Sequence, residues 1–516
     1  MIPITASEIA RIVGGTLTSG TDPATRVDGR ARIDSRAVTA GDLFCAFVGE
    51  NTDGHRFLEN AHAAGAVLSL VTRPSGPSQI QVADVERALA DLAQEQLVRA
   101  RELDPQLRVV AVTGSAGKTG TKDMLAALLA SQGETIATLG SHNNELGLPL
   151  TVLGLTPTTR YLVLEMGARG IGHIAYLTTI APPDVSLVLN VGSAHLGEFG
   201  SVEAIAQAKG EIVEALGPEG CAVLNADDPR VAAMATRTSG AVLTWGRAPS
   251  QIRLTDLELD PAARARIRIE VAEGVVRPDG TDIDPGSIEV PLQVLGEHQA
   301  ANAMAATTAA LALGLTLDQV AAVLPTIRPA SGQRMEAIDV HGARDVLVIN
   351  DAYNANPESM RQALRTLAHL GTTRRTIAVL GEMLELGEDS LRLHDEVGRL
   401  AVRLNISHLV VVGEKAAAIH RGACLEGSFD GESELVADAD AALARLLEIL
   451  RDGDVVLLKS SRDAGLRVLA DRLVDALTQD APPTAQRADT GPATPSMADS
   501  DPGRRGSAEK QGETHA

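Results

Sequence analysis

The residues with the plainest chemistry lie in VVAVTGSAGKTGT, Val109 to Thr121, where a β-branched run enters a glycine-rich turn closed by Gly-Lys-Thr. The composition predicts a strand, then a turn, then a helix from near Lys118. The backbone N–H groups of Thr113, Gly114, Ser115, Ala116 and Gly117 can face phosphate oxygens, Lys118 can reach a transferred phosphoryl group, and the Thr119 hydroxyl can ligate Mg²⁺. The common spacing G-x-x-x-x-G-K-[ST] would need glycine at 112, where Val112 stands. The loop is a short G-x-x-G-K-T form, which narrows the ATP-using families it fits.

Other residues gather their meaning from position. Glu165 closes the apolar run YLVLE and His195 follows the next one in NVGSAHLGEFGS, so both are expected just beyond strand ends, where an acid and an imidazole could join Thr119 at a metal. Lys209 falls on the apolar stripe Val202, Ile205, Ala206, Ile212, Val213 and Leu216 of the helix expected over Ser201 to Leu216. An inward lysine is costly unless paired or chemically altered. Two readings fit: a stem packed on the sheet with its amine reaching water, or a carbamate formed with CO₂ that ligates metal. In GEHQAANAMAA, His298 and Asn302 share a helix face that could hold an adenine ring, or else merely cap the helix. Arg334 and Asp351 could serve ribose and phosphates.

These residues need elements to hold them. At 516 residues the chain exceeds one core, and two or three domains are expected. Strand-helix alternation after residue 108 predicts parallel sheets covered on both faces. The fold class read from the pattern is α/β in three domains. Residues 1–100 form a small mixed α/β domain, 101–328 a central parallel-sheet domain with the phosphate loop and a β-rich edge at 240–295, 329–479 a Rossmann-like α/β domain, and 480–516 a polar, Pro-rich disordered tail. The net charge of -21 and the 2% of aromatic residues argue against nucleic acid. Cys45, Cys221 and Cys424 have no metal or redox spacing and read as buried reduced thiols. Glu8 and Arg11 interrupt the first apolar residues, as in an amphipathic helix, and no apolar run is long enough to span a membrane. A cytoplasmic monomer is expected.

Ordered motifs extend the reading. The chain carries DSRAVTAGDLFCAFVGENTDGHRF (Asp34 to Phe57), TGSAGKT, HNNELGLPLT (His142 to Thr151), LEMGA, SAHLGEFGS, QAKGEI, GEHQAANA, NDAYNANPESM (Asn350 to Met360), GEMLELG (Gly381 to Gly387) and LKSSR (Leu458 to Arg462). In this order they resemble the Mur ligases, ATP-dependent amide-forming enzymes of peptidoglycan precursor synthesis, and most of all the branch that adds D-alanyl-D-alanine to UDP-N-acetylmuramoyl-tripeptide. The resemblance runs to about Gln479. It implies that Ser35 and Arg36 contact the UDP-sugar and that Lys118 and Thr119 bind ATP phosphates and Mg²⁺. It makes Thr119, Glu165, His195 and a carbamoylated Lys209 the holders of two Mg²⁺ ions. Asn302 would lie at adenine, Arg334 and Asp351 at ribose and phosphates, and Asn143 and Asn144 near the reacting end. Gln299, Gly120, Ser141 and Ser460 depart from the family's commoner residues.

The reaction so implied passes through an acyl phosphate. The absence of an Asp-Asn-Pro-Arg signature from the third block argues against a diaminopimelate-adding ligase. A phosphate-loop switch of another class would need neither the UDP-facing first block nor the inward Lys209.

Overall fold

The structure is a computed structural model describing residues 1–49, 52–140, 142–192, 196–329, 331–342, 344–427 and 431–479. The 480–516 tail, Ser141 and His195 lie outside the described residues.

The first sheet has five short strands in the order Thr16–Leu17, Gln79–Gln81, Leu68–Val71, Leu43–Cys45, Ala31–Arg32, beside a two-stranded pair, Ile4–Thr5 with Arg26–Val27. The helix Val85–Leu103 leaves it, started by Asp84, whose carboxylate accepts the N–H groups of Glu86 and Arg87. It buries Leu89, Leu92, Ala93 and Leu97. It packs on the helices Gly147–Val152 and His173–Ile180 of the next block. One apolar cluster therefore runs from Ile4 through Leu89 to Leu148 and Leu177. At about 1.5–3 kcal/mol per buried leucine, the first two blocks are held together by core packing rather than by a flexible link.

Nine strands form the central sheet, ordered Gly286–Leu295, Arg264–Val271, Ile252–Leu259, Ala241–Gly246, Cys221–Asn225, Val185–Val188, Arg108–Thr113, Thr159–Glu165, Glu134–Ala137. Alternation along Arg108–Thr113 sends Val109 and Ala111 into the apolar cluster on one face and Val110 and Val112 into the cluster on the other. Both faces are covered, as a parallel sheet requires. The 240–295 region extends this sheet. Ile252–Leu259 joins its parallel neighbour through only Trp245 with Ile252 and Gly246 with Arg253, after which the pairings turn antiparallel. The chain leaves Arg108–Thr113 toward one edge, returns through Thr159–Glu165, then crosses to Val185–Val188 on the other side. That switch opens a crevice at the carboxyl end of Arg108–Thr113.

The third sheet is ordered Glu336–His341, Asp345–Asn350, Val455–Lys459, Thr376–Leu380, His408–Val412, Ser433–Val436, parallel except for its first strand. The thiols of Cys45 and Cys221 are buried and pushed up to about 12 by desolvation. Cys424 departs from the expected burial: it is exposed, its Sγ 3.7 Å from His420 Nε2. No helix among the described residues is long and apolar enough to cross a membrane.

Helices Ser390–Arg403 and Ala417–Glu426 touch through glycine. A Cβ on Gly398 would lie 1.8 Å from the Ile419 carbonyl oxygen. Gly398→Ala is expected to cost about 1–3 kcal/mol through overpacking, read as a lower urea midpoint. Gly217→Ala, with nothing within 4 Å of the added Cβ, serves as the neutral control.

Candidate active site

The Gly-Lys-Thr loop occupies the turn between Arg108–Thr113 and the helix Lys118–Ala130. Gly117, at φ +85°, has no room for a side chain, because a Cβ would meet Asn302 Oδ1 at 2.5 Å. Asn190 clamps the turn: its Oδ1 accepts the Ala116 N–H at 2.9 Å, its Nδ2 donates to the Ala116 carbonyl at 3.1 Å, and its own carbonyl accepts the Ser115 N–H at 3.1 Å. Lys118 folds back over the loop and donates from Nζ to the Gly114 carbonyl at 2.8 Å. Burial lowers the pKa of this ammonium, Glu165 opposes that shift, and Arg334 adds to it.

Oxygen donors converge beside the loop. Thr119 Oγ1 donates to Glu165 Oε2 at 2.8 Å, and Asn143 Nδ2 donates to Oε1 of the same carboxylate at 2.7 Å. A hydroxyl and a carboxylate are hard donors that suit Mg²⁺. No three His, Cys, Asp or Glu side chains gather as a metal cage among the described residues. Lys209 lines the same cleft and is 3% exposed. Its amine has no hydrogen bond or ion pair among the described residues. Desolvation first, and the Lys118 charge second, hold its pKa well below the usual lysine range. The helix Val202–Glu214 carries it inward, on the stripe the spacing indicated. On the same turn, Glu211 turns its carboxylate to the N–H groups of Gly172 and Ala175, at 2.6 and 2.9 Å.

The opposite wall begins with the helix His298–Ala312, whose N-cap residue Glu297 makes no side-chain cap bond. Asn302 is spent internally: Nδ2 donates to Gln299 Oε1 at 2.8 Å and Oδ1 accepts from Thr121 Oγ1 at 3.3 Å. A Cβ at Gly120 would sit 2.8 Å from Asn302 Nδ2, which accounts for glycine at that departure. His298 is pushed down to about 4 by burial.

The third sheet supplies the rest. Asn350 and Leu458 are register partners on parallel strands, so Asp351 and Lys459 emerge side by side. Lys459 Nζ donates to Asp351 Oδ2 at 2.6 Å, and the carboxylate also accepts the Met335 N–H at 3.1 Å. Asn356 Nδ2 reaches the Ser115 carbonyl at 3.5 Å, and Ser331 Oγ donates to Asp123 Oδ2 at 2.7 Å. These contacts set the third domain down over the loop.

The result is a cleft of about 610 Å³ between the two sheets. It brings together Ser115, Ala116, Gly117, Lys118, Thr119, Asn143, Asn144, Glu165, Lys209, Asn302, Arg334 and Asp351. Thr113 and Gly114 do not line it; Thr113 is buried and Gly114 offers its carbonyl to Lys118. Ser35 and Arg36 lie apart on the first domain, where Arg36 forks onto Asp34 and its hydrogen bonds hold that carboxyl at about 2. Sequence reasoning missed Asn190 and Lys459. Both close apolar strand-like runs, VSLVLN and VVLLK, and the strand-end argument that singled out Glu165 would have found them.

Family models agree with this architecture: "Mur ligase family, catalytic domain" matches residues 31–97, "Mur ligase middle domain" 112–310, and "Mur ligase, glutamate ligase domain" 333–462. The chain is 46% identical over 516 aligned residues to the UDP-N-acetylmuramoyl-tripeptide--D-alanyl-D-alanine ligase of Mycobacterium tuberculosis, covering 92% of this chain and 98% of that one. The chain belongs to the Mur ligase family. Two solved Mur ligases share its three-domain fold. MurF from Acinetobacter baumannii superposes with a TM-score of 0.78 at 33% identity, over 92% of this chain and 99% of that one. MurF ligase from Thermotoga maritima, in complex with ADP, gives 0.72 at 30% identity, over 87% and 98%.

Two outcomes follow from the charges of this Mur ligase. Asp351→Asn would leave the Lys459 ammonium, 2% exposed, without its counter-ion. A loss of about 3–5 kcal/mol in urea unfolding is expected, largely recovered in Asp351→Asn/Lys459→Met. For His298, the unfolded chain takes up a proton near pH 6.5 while the folded imidazole waits until about 4. Stability from this group is therefore full above 6.5 and lost as pH falls toward 4, and His298→Gln is expected to flatten that part of the pH profile.

Proposed function

We propose that this chain is an ATP-dependent ligase that joins D-alanyl-D-alanine to UDP-N-acetylmuramoyl-tripeptide, in peptidoglycan precursor synthesis, through an acyl phosphate. The observation that carries the reading is the meeting, in one cleft, of the Lys118 and Thr119 loop, the Glu165 carboxylate and the buried Lys209 amine, with the Asp351 edge of a third domain above them. Near full-length similarity to ligases named for that reaction supports the substrates.

In the first step a terminal carboxylate oxygen of the tripeptide attacks the γ-phosphorus of ATP. A new O–P bond forms as the bond to ADP breaks. In the second, the dipeptide amine attacks the acyl carbon, phosphate leaves, and the amine gives up a proton. Both reactants of the first step are anions, so positioning and charge neutralisation must lower the barrier. Lys118 supplies positive charge at the phosphates, the loop N–H groups orient them, and Arg334 adds a second cation close enough to perturb Lys118. Closure of the 329–479 domain over the loop would keep water from the acyl phosphate.

ATP and Mg²⁺ use is typical of the Mur ligase family. Thr119 and Glu165 fit Mg²⁺ by donor chemistry, and His195 and a modified Lys209 would complete the set; bound there, the metal would neutralise phosphate charge. Lys209 suits carbamoylation because burial lowers its pKa and so favours the neutral amine, the form that adds to CO₂, losing one proton as the N–C bond forms. The carbamate would place an anion where the cleft now holds a buried amine. Ser35 and Arg36 would hold the uridine diphosphate on the 1–100 domain, Asn302 would back the adenine site on the 101–328 domain, and the 329–479 domain would close with Arg334 and Asp351 toward ribose and phosphates. Asn143 and Asn144 would face the reacting carboxylate.

Phosphate release with ATP and UDP-N-acetylmuramoyl-tripeptide is expected to require D-alanyl-D-alanine; turnover with single amino acids only would overturn the assignment. Lys118→Ala is expected to lose at least about 100-fold in ADP formation, the scale of removing one such charge stabiliser. Lys209→Ala is expected to lose most turnover and to regain part of it with a small added carboxylate.

A further inference from the structure

Tyr353 carries two guanidinium groups. The Arg334 Cζ lies 4.5 Å from its ring centroid and the Arg462 Cζ 6.0 Å. All three side chains line the cleft. Neither arginine has a carboxylate partner among the described residues. The nearby Lys459 is already answered by Asp351. Two cations on one ring repel each other, and an anion between or beside them would turn that repulsion into attraction.

The two arginines are not equivalent. Arg334 belongs to the linker from the central domain and is close enough to Lys118 to lower that pKa, which puts it on the phosphate side. Arg462 follows the strand Val455–Lys459 of the third sheet and is exposed in the cleft. We propose that Arg462, beside the Tyr353 ring, binds the terminal carboxylate of the incoming dipeptide.

This rests on the reaction proposed above and adds the residue that selects its third reactant. ATP phosphates already have Lys118, the loop N–H groups and Arg334. The dipeptide has one anionic end and a small apolar body, and it needs a fork-shaped donor and a flat wall. The Arg462 guanidinium supplies the fork and the Tyr353 ring beside it the wall. A two-residue chain spans at most about 7 Å, so its carboxylate must dock in the same cleft as its amine. Arg462 lines that cleft together with Arg334 and Lys118.

The test compares D-alanyl-D-alanine with its C-terminal amide, using full-length enzyme, ATP and UDP-N-acetylmuramoyl-tripeptide. Wild type is expected to show a KM about 10- to 100-fold higher for the amide, the worth of one charge-assisted pair. Arg462→Gln is expected to raise KM for the acid by a similar factor and to abolish the acid-over-amide preference. Its KM for ATP and for the UDP-sugar peptide should stay unchanged. Arg462→Lys should recover only part of the preference, since an ammonium lacks the planar fork. Wild type that accepts acid and amide equally would overturn the proposal without any variant. So would a preference that survives in a folded Arg462→Gln, or a rise in KM for ATP instead. Absence of any wild-type turnover with the dipeptide would instead overturn the reaction itself.

Discussion

Uncompensated positive charge in a buried cleft is the constraint on which this structure turns. Lys118, Lys209, Arg334 and Lys459 all line the space between two sheets, and among the described residues only Lys459 of these four is closed into an ion pair, by Asp351. Desolvating a charge is expensive, so such a cluster is tolerable when an anionic ligand completes it or when an amine gives up its proton. The two lysines take different routes: Lys118 shares its amine with a carbonyl of its own loop, while Lys209 has only its lowered pKa. A polyphosphate is the kind of ligand that fits what remains.

The geometry around that charge comes from sheets that present their carboxyl ends to each other. In the central sheet the loop and Glu165 stand at the ends of adjacent parallel strands, so Thr119 and Glu165 meet without any long-range loop to bring them. In the third sheet the same logic pairs Asp351 with Lys459. The chain passes between them through Gln333 and Met335, both at positive φ, 60° and 49°. Side chains at such angles are uncommon and hold only where the surroundings fix them. The Asp351 carboxylate does so by accepting the Met335 N–H. Arg334, between the two, is thereby tied to the same buried ion pair.

Much of this was legible from residue order. Alternating strands and helices gave the three α/β blocks, Gly-Lys-Thr marked the loop, and helical spacing put Lys209 inward. Asn190 and Lys459 escaped because each looks like the ordinary end of an apolar strand, and their roles depend on what lies across the register. Asn302 shows the same limit in reverse. Its helix face was correctly placed, yet its amide is engaged by Gln299 and Thr121, partners set by how two helices pack. The exposure of Cys424 was equally invisible, since burial of a small side chain depends on neighbours from other elements.

The sequence by itself determined the local features: a glycine-rich Gly-Lys-Thr loop, strand-end donors, an inward lysine and a chain long enough for three domains. These follow from backbone propensity and periodicity, which act within a dozen residues. The tertiary structure alone decided that Asp351 neutralises Lys459, that Asn190 clamps the loop, and that Arg334 and Arg462 both approach Tyr353. Those outcomes rest on contacts between residues tens to hundreds of positions apart. Their energies depend on burial and register, and neither exists until the sheets are assembled.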